Sequence, residues 1–258
     1  MIPKIIHYCW FGRNPLPESA KRCIASWKKY FSGYEIKQWD ESNYNVYVIP
    51  YTSEAYKAKK YAFVSDYARF DILHRYGGIY FDTDVEVIRA FDPILEASSF
   101  AGVEDPGRIN PGLGIGAVPG LPILHKLLDR YCGMHFINAD NTLNPTTIVD
   151  LTTEIFTSYN FTNEDIIQTI ADVTVYPKEY FNPLEYDTYT IKITPNTYSI
   201  HHGNASWFSP LQTMSTKLHI IICRIFGLRT GKKISKIINK IIKFIYRSFV
   251  HRWVSRHG

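Results

Sequence analysis

Asp82 and Asp84 flank Thr83 at the end of a short apolar run, Ile79-Tyr80-Phe81. If that run is a strand that continues to residue 84, positions i and i+2 face one side, so the two carboxylates converge while Thr83 turns away. Paired carboxylates are hard oxygen donors suited to Mg²⁺ or Mn²⁺ beneath a diphosphate. An Asp-x-Asp alone is weak, because chance supplies such pairs in an aspartate-rich chain and a solvated turn explains them. Upstream, Asp66 and Arg69 stand at i and i+3 and share a helix face. In isolation they are a surface ion pair worth about 0–1 kcal/mol. The order of parts adds weight: the helix meets Gly77-Gly78, the strand follows, and the carboxylates come at its end. One compact unit can then aim Asp66, Arg69, Asp82 and Asp84 into a crevice at the carboxyl end of a strand, where α/β sheets bind ligands.

The elements that must position this unit are readable as periodicities. Residues 4–10 have the look of a buried first strand, and 34–39 alternate like a second. Residues 18–30 form a helix pattern with Ala20, Cys23, Ile24 and Trp27 on one face. A second helix is expected over 56–76, closed by glycine. Strands are expected at 79–81 and 85–88, a Gly/Pro-rich loop over 105–120, helices at 121–131 and 147–156, and short strands at 173–176 and 190–193. Strands alternating with helices imply an α/β sandwich with a mostly parallel sheet.

At 258 residues the chain is one large domain, or one domain with appendages. Its net charge of +5 hides a split: residues 188–258 hold 12 Lys and Arg and no acid, which leaves 17 bases against 24 acids, a net of −7, in the first 187. An acidic body with a basic tail points to two tasks. The four cysteines lack any zinc or disulfide spacing, so free thiols are expected. The first residues lack the apolar run and cleavage site of a signal peptide. No window approaches the roughly 18 apolar residues of a spanning helix. The expectation is a cytoplasmic chain.

Three segments together carry a resemblance. The region SDYARFDILHRYGGIYFDTD (65–84) resembles the DXD region of glycosyltransferase family 32, which includes yeast initiation mannosyltransferases and bacterial capsular-polysaccharide enzymes. It is also similar to the glucosyltransferase domains of large clostridial toxins. Ile6-His7-Tyr8-Cys9-Trp10-Phe11-Gly12 resembles the family's first strand, and His201-His202-Gly203-Asn204-Ala205-Ser206-Trp207 its late HHxxxSW element. The resemblance implies a GT-A fold over residues 1–213 and retaining transfer of a hexose from a nucleotide-sugar with Mn²⁺ or Mg²⁺. It assigns Trp10 to base stacking, Asp66 and Arg69 to the donor ribose and sugar, Asp82 to donor and metal, and Asp84 to the metal. His202 is the candidate late metal ligand, with His201 its rival. Ser206 and Trp207 would lie against the β-phosphate. Asn110 either faces the donor sugar or makes a turn. The first-strand pattern favours UDP-hexose, with GDP-mannose the other donor. Each residue has a bland alternative: Trp10 a core aromatic, the histidines a loop pair.

From Ile234 onward apolar residues recur at 234, 237, 238, 241, 242, 245 and 249, with Lys233, Lys236, Lys240, Lys243 and Arg247 on the other side. A basic amphipathic helix fits an anionic membrane surface, which assigns residues 214–258 to membrane contact. Its apolar face argues against nucleic acid. A peripheral position at the inner face of a bacterial membrane would suit a lipid-linked glycan acceptor. Two other function classes remain open: a metal-dependent phosphohydrolase or nucleotidyltransferase, and a noncatalytic membrane-docked sugar-binding protein.

Overall fold

The computed structural model describes residues 1–203 and 210–257, the side chains of residues 210, 239 and 241–257 excepted. In chain order the elements are β1 (Ile5–Cys9), α1 (Glu18–Tyr30), β2 (Glu35–Trp39), α2 (Pro50–Lys57), α3 (Tyr61–Tyr76), β3 (Gly78–Tyr80), β4 (Val85–Val87), β5 (Phe100–Asp105), β6 (Arg108–Ile109) and β7 (Ile115–Ala117). They continue with α4 (Pro122–Tyr131), α5 (Ile148–Ser158), β8 (Gln168–Ile170), β9 (Val173–Tyr176), α6 (Lys178–Phe181), β10 (Leu184–Glu185), β11 (Thr190–Ile191), β12 (Ser199–His201) and α7 (Pro210–His257).

An eight-stranded sheet runs β2-β1-β3-β7-β5-β9-β8, with β6 beside β5. β2, β1, β3, β5 and β9 share one direction, while β7, inserted between β3 and β5, runs against them, as do β6 and β8. Five of eight strands are thus parallel, and helices flank the sheet: the α/β architecture with a mostly parallel sheet expected from the sequence. Strand alternation divides the core in two. Tyr80 and Cys9 face the cluster that holds α3 and α4, while Ile79, Phe81, Ile6 and Tyr8 face the cluster that holds Trp27 of α1. β4 leaves the main sheet and pairs antiparallel with β12.

The expected helix over 56–76 is two helices. Lys59 takes the left-handed conformation (φ 57°), and Lys60 N–H reaches back to Ala55 O at 2.8 Å while Lys59 N–H bonds Tyr56 O at 2.9 Å. This is a Schellman-type stop without its usual glycine, so composition gave no sign of it. The expected 105–120 loop holds β6 and β7.

At the α3 stop, Gly78 (φ 97°) fits where no side chain would, since a Cβ would lie 2.7 Å from Ile5 O and 2.8 Å from His7 Nε2. That approach seats the unit beside β1. His7 Nε2 bonds Gly77 O at 2.9 Å, and His7 Nδ1 accepts the Trp39 indole N–H at 3.1 Å. Burial lowers the His7 pKa to about 4, so a neutral ring makes both bonds.

The chain forms two compact units: residues 1–183 with 193–204, and residues 184–192 with 205–258. The second therefore takes in the β10–β11 hairpin as well as the tail. Within it, α7 breaks at Gly227 (φ 73°, ψ 163°), and its second half doubles back, with Gly231 against the Cα of Cys223. Asp187 ties the two halves, bonding His219 at 2.9 Å and Lys232 at 2.6 Å. Among the described residues, no helix is long and apolar enough to cross a membrane.

Candidate active site

β3 delivers Tyr80 on the α3 side, so the next residue of that parity, Asp82, meets the polar face of α3. Arg69 is the hub. It is 3% exposed, and its Nη2 lies 2.9 Å from Asp66 Oδ1 and 3.2 Å from Asp82 Oδ1. Its guanidinium sits 4.7 Å over the Tyr80 ring, and Nε donates to Ser65 O at 3.2 Å. The Tyr80 hydroxyl donates to Asp82 Oδ1 at 3.2 Å. Burial pushes Asp66 up to about 7, against the pull of Arg69 and with a further push from Asp82. Burial opposes the charge on Arg69 as well, but Asp82, Tyr80 and Asp66 more than compensate, so the guanidinium stays charged. Asp66 and Arg69 are therefore a buried pair joined to the half-buried Asp82, not the surface pair that spacing alone allows.

Asp82 and Asp84 do come together, but by a turn. β3 ends at Tyr80, and Val85 N–H bonds Asp82 O at 3.0 Å to close a four-residue turn. Asp84 is thereby released from strand alternation, and its carboxylate meets His201 Nε2 at 3.2 Å. Asp82, Asp84 and His201 each offer a ligand atom, all within 4.8 Å of one another.

The two histidines have different partners. His202, the sequence-based candidate, has Nε2 2.9 Å from Glu86 Oε2, and its backbone N–H bonds Asp84 O at 3.0 Å. His201 is the residue with the acids. The reason is β12: antiparallel to β4, with His201 opposite Val85, it sends consecutive histidines to different partners. Burial disfavours charge on His201, but Asp84, and then Asp82 and Glu104, raise its pKa overall. Two carboxylates and an imidazole fit a divalent cation. The oxygens suit Mg²⁺ or Mn²⁺, and of the two the transition ion Mn²⁺ takes the imidazole more readily.

The neighbouring loop closes on Asp82. Asn110 Oδ1 accepts Gly112 N–H at 2.8 Å, and its amide donates to Glu104 Oε2 at 3.0 Å. Asn110 thus makes the turn that sequence reasoning gave as one of its two roles. Gly112 O accepts Asp82 N–H at 3.1 Å, and a Cβ on Gly112 would lie 2.1 Å from Asp82 Oδ2. Trp10 follows β1 at the same carboxyl edge, half-buried, its indole N–H donating to Asn14 O at 2.7 Å. Ser206 and Trp207 lie outside the described residues. Sequence reasoning missed Tyr80, Glu86, Glu104 and Gly112. Tyr80 alone had a signal, its position two before Asp82.

The family described as capsular polysaccharide synthesis protein matches residues 1–248. The chain belongs to that family. Its similarity to an inositol phosphoceramide mannosyltransferase of Schizosaccharomyces pombe is 30% identity over 135 residues, 49% of this chain and 36% of the yeast protein. The chain therefore spans little more than a third of that relative. A relative of broader match is an uncharacterized glycosyltransferase of Acanthamoeba polyphaga mimivirus, 26% identical over 88% of each chain. Among solved structures, the PaToxG glycosyltransferase aligns with a TM-score of 0.45 and 20% identity, covering 61% of this chain and 68% of that one. Both of these curated relatives are named as glycosyl- or mannosyltransferases. The two curated relatives are fungal and viral, so neither supports a bacterial source.

Proposed function

We propose that the chain is a metal-dependent retaining glycosyltransferase that moves a hexose from a nucleotide-sugar to a glycan precursor. The observation that carries this reading is the convergence of Asp82, Asp84 and His201 beside the buried Arg69. Asp82, Asp84 and His201 would hold Mn²⁺ or Mg²⁺, which when bound supplies Lewis-acid neutralisation of a leaving diphosphate. Arg69 adds a fixed, pre-oriented positive charge to the same end of the donor. Asp66 holds Arg69 and faces the donor sugar, Trp10 offers a ring for the base, and the Asn110–Gly112 turn walls the pocket beside Asp82. Ser206 and Trp207 retain the β-phosphate role that the family pattern gives them. The sugar is attacked on the face its leaving group departs from, which requires no carboxylate nucleophile.

The donor class is tested by thermal shift with UDP-hexoses and GDP-mannose, each with and without Mn²⁺. The first-strand pattern favours a UDP-hexose, and the mannosyltransferase name of the yeast relative brings GDP-mannose to equal standing. One nucleotide-sugar is expected to stabilise the chain in a Mn²⁺-dependent way, because a ligand that binds only the folded state raises its melting temperature. No shift with any donor, and no release of nucleoside diphosphate, would favour a noncatalytic role. Release of free sugar phosphate would favour a phosphohydrolase.

The acceptor is proposed to be lipid-linked and met at an anionic membrane face by residues 214–258. The yeast relative's name joins mannosyl transfer to a ceramide lipid. On α7, Met214, Ile221, Ile225, Phe226, Leu228 and Ile237 are exposed, among the exposed Arg229, Lys233, Lys236 and Lys240. Apolar surface flanked by lysine and arginine suits partial insertion beneath anionic headgroups. The full chain should float with phosphatidylglycerol vesicles and stay behind with phosphatidylcholine, and I221D/I225D should remove flotation. Equal partitioning of the variant and the parent would exclude this face.

A further inference from the structure

The three candidate cation ligands stand on two different sheets. Asp82 follows β3 of the main sheet, whereas Asp84 precedes β4 and His201 ends β12, the two strands of a separate sheet. Among the described residues, no ladder joins β4 to the main sheet. The spacing of the ligands therefore depends on the turn from Asp82 to Val85 and on what else ties the small sheet to the large one.

That tie is α1. Ser26 Oγ accepts the Val87 N–H at 2.9 Å and donates to Cys23 O at 2.6 Å. Trp27, fully buried, donates its indole N–H to Val85 O at 2.8 Å. The same ring packs against Phe81, with centroids 5.5 Å apart, and edge-on against Tyr8 of β1 at 5.8 Å. Phe81 is the residue before Asp82, and Val85 is the residue after Asp84. One rigid side chain thus grips both ends of the acidic turn from behind, by packing at one end and a hydrogen bond at the other. An ordinary core tryptophan would explain the burial. It would not explain why its one polar atom completes a buried carbonyl next to Asp84, where β4 lacks a main-sheet partner.

We infer that Trp27 is a positioning residue that sets the separation of Asp82 from Asp84 and His201 and so tunes cation affinity without touching the cation. This rests on the reading of those three residues as a cation site. Outer supports of metal ligands typically change affinity about 10–100-fold when removed.

The test is Mn²⁺ titration of the full chain, read from the electron paramagnetic resonance signal of free Mn²⁺ well below the unfolding temperature. Trp27→Phe keeps a six-membered ring against Phe81 but deletes the N–H and the pyrrole part of the indole; it should weaken Mn²⁺ binding about tenfold. Ser26→Ala should weaken it in the same direction. Trp39→Phe deletes another buried indole N–H, the one bonded to His7, and should leave Mn²⁺ affinity unchanged. Wild-type affinity in W27F overturns the inference, and so does an equal loss in W39F, which would mark a general stability effect. If W27F does not fold, S26A decides, and unchanged affinity there overturns it. A parent chain that binds no Mn²⁺ fails at the earlier step and takes the inference down with the cation reading. Binding by the parent with no response to W27F removes only the inference.

Discussion

Asp84→Ala is expected to abolish Mn²⁺ binding and lower sugar transfer by at least about 10²–10³-fold, the scale seen when one preorganised electrostatic group is removed from a reacting centre. The fold should survive. Asp84 sits in a turn, and alanine retains the backbone carbonyl that accepts His202 N–H while it loses the carboxylate beside His201. Circular dichroism should therefore match the parent while donor hydrolysis and transfer disappear. His201→Asn should follow Asp84→Ala in losing Mn²⁺. His202→Asn should not, because its partner Glu86 is nearly half exposed and such a pair contributes about 0–1 kcal/mol. Full activity in D84A, or equal losses in the two histidine variants, would refute the ligand set.

The histidine contrast shows where sequence reasoning ends. Asp66, Arg69 and Asp82 were legible because they ride on strong local signals: a long helix, a glycine stop and a three-residue apolar run. The residue types and order were enough to predict that they meet. What could not be read was β12. Ser199-Ile200-His201 is three residues long with one aliphatic side chain, so it has no periodicity to detect, and its pairing with β4 is a contact across more than a hundred positions. Without that ladder, neither histidine of the pair could be preferred by orientation. The acidic turn has the same lesson in miniature. Alternation correctly predicted convergence of Asp82 and Asp84, yet for the wrong reason, since the strand stops at Tyr80 and a turn does the work. Trp27 was legible as a core face of α1 but not as a partner of Val85, because an indole N–H leaves no mark in a hydrophobic pattern.

Arg69→Met should affect fold and chemistry together, and the two losses can be separated. The side chain is buried, and its guanidinium compensates Asp66 and Asp82 at once. Breaking a buried pair by deleting one partner typically costs about 3–5 kcal/mol, because the other charge is stranded in low dielectric. The stranded group here is Asp66, whose carboxyl burial already pushes to about 7 with Arg69 present. Without the cation its pKa rises further, so the folded form of R69M takes up a proton that the unfolded chain releases near pH 4. The variant's stability deficit relative to the parent should therefore grow as pH rises above about 7, where the parent's Asp66 ionises and the variant's does not, and level off below it, where both folded chains hold the proton. Asp66→Asn in the same chain removes the cost of that proton uptake, so D66N/R69M should melt closer to the parent at neutral pH. Transfer should not return with it. The double variant still lacks the fixed positive charge beside Asp82, and a loss of about 10²–10³-fold should persist in pure, folded protein. Arg69→Lys should also fail to restore activity: an ammonium is a point charge that cannot fork between two carboxylates while lying flat on the Tyr80 ring. Recovery of turnover in D66N/R69M would mean that Arg69 serves only to balance Asp66, and that the chemistry draws its positive charge from elsewhere.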